Sequence, residues 1–261
     1  MQNCGIIVTP LSVLIVSTVL MHSKSTILAI DTATDHCSVA LRAGGKVYQL
    51  EEHEPREHSR KLLPMIEAVL KQAGLALQHV DLIGYARGPG SFTGLRIGIS
   101  AVQGLAFGAD IPTAGVSTLA CQVMTGLSTG VVREGDRVVS MLDARMNEIY
   151  WASYDIVNGF PVAATAEQVC GPADWSTSPS VEQRNIGVGS GWRYRDAMDS
   201  KLVEDMSEIR HDLGTTAAAV LALVPAELRG GAGDPAELAQ PIYVRDTINW
   251  KKRGEQGKKS S

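Results

Sequence analysis

The chain has 261 residues, with 24 Lys plus Arg against 28 Asp plus Glu and a net charge of −4. That balance excludes a strongly basic nucleic-acid binder as a description of the whole chain, and 5% aromatic residues argue against a base-stacking platform. Apolar residues at 44% suit a globular protein with a real core, and the length suits two modest domains or one large one.

From Cys4 to Leu20 the chain is apolar with scattered Ser and Thr, and the first charge is Lys24. A secretory signal needs a basic start and a small-x-small cleavage site, and neither is present. A membrane-spanning helix needs about 20 apolar residues, and Pro10 interrupts this run. The expectation adopted is that the functional protein begins at Met21 and that residues 1–24 are a dispensable extension. The four cysteines, Cys4, Cys37, Cys121 and Cys170, form no C-x-x-C pair and no disulfide framework, so a reducing cytoplasm is expected.

Ile27 to Ile30 reads as a buried strand ending in Asp31. Cys37–Arg42 alternates, Gly44-Gly45 turns, and Lys46–Leu50 alternates again, giving a three-strand meander. His58 to Gly74 has helical period, with Ser59 as its expected N-cap and Gly74 as its stop. A strand over Val80–Ala86 leads into Gly88-Pro89-Gly90-Ser91-Phe92-Thr93-Gly94 and a helix over Leu95–Gly108. A strand at Pro112–Val116 and a helix at Ser117–Leu127 follow. The layout then restarts: a strand over Arg137–Leu142 ends in Asp143, a turn leads to Glu148–Tyr154, and Asn158-Gly159 turns into Phe160–Ala164. Residues 171–184 are expected to be irregular, Asn185–Val188 a short strand, and Thr215–Val224 a helix ended by Pro225. The repeat of strand, Asp, turn, strand predicts two α/β halves, 25–130 and 131–250, with a disordered basic tail at 251–261.

Three features carry chemistry. In GPGSFTG, Ser91 and Thr93 stand where a helix begins and its free N–H groups attract an anion. The loop is also explained as a capped helix start after a sharp turn. Leu95 after Gly94 excludes a P-loop, and Pro89 two residues before Ser91 excludes a nucleophile elbow. Asp31, with Thr32, and Asp143 end the first strands of the two halves, where a carboxylate facing a cleft suits a metal–phosphate complex. The alternative is that each caps its own turn, with Arg145 pairing Asp143. The candidate nucleotide or phosphate contacts are thus Asp31, Thr32, Gly88, Gly90, Ser91 and Thr93. None of the six histidines stands at i, i+4 to another, so a metal site with imidazole ligands is not expected. Finally, Gly94, Gly98, Ala101, Gly104 and Gly108 make one helix rich in small residues. With its neighbour it offers a candidate partner face of Leu62, Met65, Ile66, Val69, Gly98, Ala101 and Val102; packing inside the chain is the alternative.

The segments ILAIDTATDHCSVAL, EHSRKLLPMIEAVL, GPGSFTGLRIGISAVQGLAFG, PTAGVSTLA, MLDARMNEIYWA and QPIYVRDTINWKK together resemble the TsaB (YeaZ) family, in order from about Ile27 to Lys252. The resemblance implies two halves of the actin/hexokinase/Hsp70-like fold. It implies a part in making threonylcarbamoyladenosine next to the tRNA anticodon, by binding the paralogue TsaD as a heterodimer and allowing assembly with the ATPase TsaE. In TsaD-like chains two histidines at i, i+4 help hold the metal; the matching positions here are Thr118 and Gln122. The resemblance therefore implies no catalytic residue, no metal and no intrinsic cofactor in this chain. It leaves open weak nucleotide binding at a subunit interface, homodimers, and tRNA contact through the complex, and it implies no membrane association. Two alternatives from other classes stand beside it: a phosphotransferase of the same fold, and a glycopeptidase-like protease.

Overall fold

The computed structural model describes residues 25–53, 57–178, 180, 182–228 and 233–244. The expectations for 1–24 and for the tail 251–261 fall outside the described residues. Two mixed sheets carry the fold. In the first, β1 (Ile27–Asp31) pairs antiparallel with β2 (Cys37–Ala43), which pairs with β3 (Lys46–Glu52). On its other side β1 runs parallel to β4 (Leu82–Gly88), and β4 to β5 (Thr113–Ser117). Helices α1 (His58–Ala73), α2 (Phe92–Ala109) and α3 (Thr118–Ser128) connect these strands or follow them.

In the second sheet β6 (Arg137–Arg145) is central, antiparallel to β7 (Glu148–Val157), which pairs with β8 (Phe160–Ala163) and β9 (Gln168–Cys170). On its other side β6 runs parallel to β10 (Asn185–Val188), and β10 to β11 (Glu208–Arg210). The orders β3-β2-β1-β4-β5 and β8-β7-β6-β10-β11 therefore match position for position. The repeat expected from the layout is a repeat of topology, and the fold is the α/β one of two related halves.

Some boundaries differ from expectation for local reasons. Helix α1 starts one residue before Ser59, its N-cap is Glu57 without a side-chain bond, and it tolerates the exposed Pro64 inside it. Gly74 does end it, in the left-handed conformation that glycine adopts without cost. Ser91 caps α2 at Gly94, so that helix begins at Phe92 rather than Leu95. Strand β6 runs on to Arg145, and Arg145, Met146 and Asn147 all have positive φ in the hairpin turn. A short helix α4 (Ser200–Glu204) precedes β11. Helix α5 (Ala217–Leu228) continues through Pro225 rather than stopping there.

The course of α5 matters most. It lies late in the chain, yet Ala217, Val220, Leu221, Leu223 and Val224 belong to the core of the first sheet with Ile27, Ile30, Val39 and Ile83. Gly84 on β4 permits the contact: a methyl group there would lie 2.5 Å from a Val224 methyl. A smaller core under the second sheet joins Leu119 and Val123 of α3 to Val138, Leu142 and Val188. A third, on that sheet's other face, is built on Trp151, Trp175 and Trp192, packed edge to face.

Candidate functional site

A cleft of about 680 Å³ lies where the halves meet. One wall is Ala33–Asp35 and Gly90–Thr93; the other is Leu142–Met146, Tyr150, Ser190 and Arg193; Tyr243 closes one side. Gly90, Ser91 and Thr93 thus line the cleft, as does Asp143. Asp31, Thr32 and Gly88 do not.

The loop between β4 and α2 explains why. The Ser91 amide donates to the Ala33 carbonyl at 2.7 Å, which stitches the loop to the turn after β1. A methyl group on Gly90 would lie 2.2 Å from that same carbonyl oxygen. Gly88 has φ +107°, which favours glycine, and packs against the Ile242 carbonyl. The Thr32 hydroxyl donates to the Gly94 carbonyl at 2.8 Å and is buried. The Ser91 hydroxyl oxygen accepts from the Gly94 amide at 3.3 Å. These glycines and hydroxyls hold backbone against backbone; among the described residues, of the candidate hydroxyls only that of Thr93 has no such role.

Asp31 is buried. Its carboxylate accepts from the Thr215 hydroxyl and from the Ala33 amide, the latter at 2.9 Å. Burial raises its pKa, and the two hydrogen bonds oppose that rise. As placed it ties the end of β1 to the start of α5 and is not among the residues that line the cleft. Asp143 accepts from the Arg145 amide at 2.8 Å and the Tyr194 hydroxyl at 3.2 Å, and pairs with the Arg145 guanidinium at 3.3 Å. The pairing reading of Asp143 is the one realised. Arg145 also reaches Asp35 of the other half at 3.5 Å.

Thr118 and Gln122 stand at the base of α3, both buried. Ser140 donates to Gln122 Oε1 at 2.7 Å, and Gln122 Nε2 donates to the Leu213 carbonyl at 2.9 Å. Both ends of the amide are occupied inside the chain, and the Gly189 backbone sits directly against it. An amide bonded in this way and one hydroxyl are not a donor set for a tightly held divalent metal. No group of three or more His, Cys, Asp and Glu side chains fit for a metal occurs among the described residues.

The candidate partner residues separate by burial. Leu62, Met65, Ile66, Val69 and Val102 are core, and Gly98 is buried against Thr32. Ala101 is partly exposed. The helical period marks the inward face, so the residues it singles out pack within the chain. The solvent faces of the same helices carry Leu63, 53% exposed, and Phe107, 74% exposed, with open space beside Gly104 and Gly108. A groove beside them is lined by Leu63, Pro64, Glu67, Leu75, Leu77 and Leu105.

Among the residues that line the cleft and were not singled out from the sequence are Phe92, Tyr150, Arg193 and Tyr243. The Arg96 guanidinium lies 3.7 Å from the Phe92 ring centroid. The Phe92 and Tyr243 rings are 5.8 Å apart, and Arg96 Nε donates to the Tyr243 hydroxyl at 3.3 Å. Exposed aromatic residues inside GPGSFTG and QPIYV were the available signal.

Comparison with known proteins gives consistent results. The family described as TsaD, tRNA N6-adenosine threonylcarbamoyltransferase, matches residues 51–207. The tRNA threonylcarbamoyladenosine biosynthesis protein TsaB of Escherichia coli is 39% identical over 87% of this chain and 97% of that protein. Its counterpart in Haemophilus influenzae is 34% identical over 87% and 96%. The solved structure of YeaZ from Pseudomonas aeruginosa aligns with a TM-score of 0.77 and 38% identity, covering 84% of this chain and 99% of that one.

Proposed function

Because this chain belongs to the TsaB (YeaZ) family of tRNA threonylcarbamoyladenosine biosynthesis proteins, we propose that it acts in that tRNA modification as a non-catalytic subunit. In this reading it binds TsaD and lets the pair assemble with TsaE, in the cytoplasm. No helix among the described residues is long and apolar enough to cross a membrane.

The observation that carries the reading is Gln122. At the position that the family resemblance matches to a metal-holding histidine of TsaD-like chains, a buried amide joins α3 to β6 and to the segment before α5. The chain keeps the two-half fold and uses the Gln122 position for packing. What it offers outward is the solvent face of α1 and α2, where Leu63, Phe107 and the two glycines leave room for another helix pair. The same face serves for a homodimer when TsaD is absent, and any nucleotide bound weakly at the junction of subunits would be shared between them.

Reconstitution tests this. With a threonylcarbamoyl adenylate donor supplied, TsaD and TsaE are expected to modify tRNA only when this chain is added, and this chain alone with the donor and a divalent ion is expected to modify none. Leu63→Glu and Phe107→Glu are expected to weaken co-elution with TsaD at least tenfold, because a charge buried at a contact without a partner is costly. Their melting temperatures should stay near the parent's. Ile66→Glu, by contrast, is expected to unfold the chain. Unchanged TsaD activity on adding the parent chain would end the reading.

A further inference from the structure

We infer that the mouth of the cleft is an RNA contact, in which an unpaired nucleobase of the tRNA stacks on the wall made by Phe92, Tyr243 and Arg96. The inference rests on the proposed part in tRNA modification and adds that this chain touches the RNA itself.

Phe92 is 52% and Tyr243 47% exposed, which is unusual for two large aromatic rings packed side by side. Their neighbour Arg96 presents a flat cation against Phe92 and is fixed by the Tyr243 hydroxyl. Exposed aromatic and guanidinium planes held rigidly are the surface on which unstacked bases settle. Tyr150 and Arg193 face them across the cleft. The low aromatic content of the chain does not oppose this, because the fold gathers residues 92, 150 and 243 into one place.

Charge decides between a base on a strand and a free nucleotide. Arg145 is occupied by Asp35 and Asp143. Arg193 is exposed and makes no ion pair among the described residues. Ser91 already caps the first turn of α2. A di- or triphosphate would therefore meet one unoccupied cation on the lining, which is weak compensation. A base inserted from a strand leaves its phosphates outside. In sequence, the chain after Val244 carries six basic residues, including Lys251, Lys252, Arg253, Lys258 and Lys259, against Asp246 and Glu255. This basic stretch follows Tyr243 directly in the chain.

The test is binding of an unmodified tRNA transcript to the full chain, alone and with TsaD, followed by fluorescence anisotropy from 50 to 300 mM salt. Phe92→Ser and Arg96→Lys are each expected to weaken binding about tenfold, the latter because it keeps the charge and loses the plane. Arg193→Ala should lower the slope of log affinity against log salt by about 0.7, and ending the chain at Trp250 should lower it by more. Affinity unchanged in Phe92→Ser and Arg96→Lys, or AMP displacing the tRNA at micromolar concentration, would overturn the inference. Co-elution of the same variants with TsaD separates the two claims. Variants that bind TsaD and tRNA like the parent sink this inference alone, whereas a parent chain that leaves TsaD inactive sinks the functional reading.

Discussion

A methyl group on Gly98 would lie 2.1 Å from the Thr32 hydroxyl oxygen, and one on Gly94 would lie 2.1 Å from the Thr32 carbonyl oxygen. Around Gly104, on the same helix, there is nothing within 4 Å. Identical residues thus have opposite reasons to be present. Gly94→Ala is expected to cost about 1–3 kcal/mol or more, since backbone must move to admit the methyl. Gly104→Ala should stabilise the lone chain by about 0.5–1 kcal/mol through helix propensity; urea denaturation measures both. Asp31 gives a pH signature. Burial raises its folded-state pKa above the ordinary carboxylate value, so folding favours the protonated acid. Its contribution is fully present below that ordinary value and is lost as pH rises through the raised one. Asp31→Asn removes the titration, so parent stability relative to the variant should fall as pH rises from about 3.8, and a pH-independent difference in urea midpoints would contradict this. The cap at Ser91 and the glycine turn were legible because they are local. The fate of Asp31 was not, because its partner Thr215 is 184 positions away and nothing in the strand-end sequence names it.

Period alone located most strands and helices, because burial of one face imposes it. What period does not encode is what a face packs against. The stripe Leu62, Met65, Ile66 and Val69 looks the same whether it meets a sheet or a partner, and the sheet is what it meets. Pro225 misled for a related reason. It lacks the amide that an interior helical position supplies, yet α5 is held by its tertiary contacts and continues three residues beyond it. The contact between α5 and β4 gives a specific expectation. Gly84→Ala should destabilise by about 1–3 kcal/mol by pressing on Val224. Val224→Ala should cost about 2 kcal/mol by leaving a cavity. Together they should cost less than the sum, with a coupling of at least about 0.5 kcal/mol, because the second change makes room for the first. Simple additivity in a double-mutant cycle would place the strain elsewhere.

The two halves repeat one topology but are not two separable objects. Thr215 reaches Asp31, the Ser38 hydroxyl accepts from the Ala217 amide at 2.8 Å, and Gln122 bridges to Ser140 and Leu213. On the other side Ser117 donates to Glu167 and pairs with the Tyr154 hydroxyl. Helix α5 is the largest of these ties. Val220, Leu221, Leu223 and Val224 are each at most 5% exposed, all in the core of the first sheet. At about 1.5–3 kcal/mol for each buried aliphatic side chain, their loss is of the order of the whole net stability of a domain, about 5–15 kcal/mol. A fragment of residues 25–130 keeps every strand of the first sheet but bares the face that α5 covers. It is therefore expected to show no cooperative thermal transition by circular dichroism and to aggregate through that face. A chain ended at Leu213 should fail in the same way, although it retains the second sheet. Adding a peptide of residues 214–228 to that shortened chain should restore a cooperative transition in proportion to peptide concentration. A cooperative melt of the 25–130 fragment by itself would mean that the first sheet does not need its late helix, and the halves would then count as independent domains.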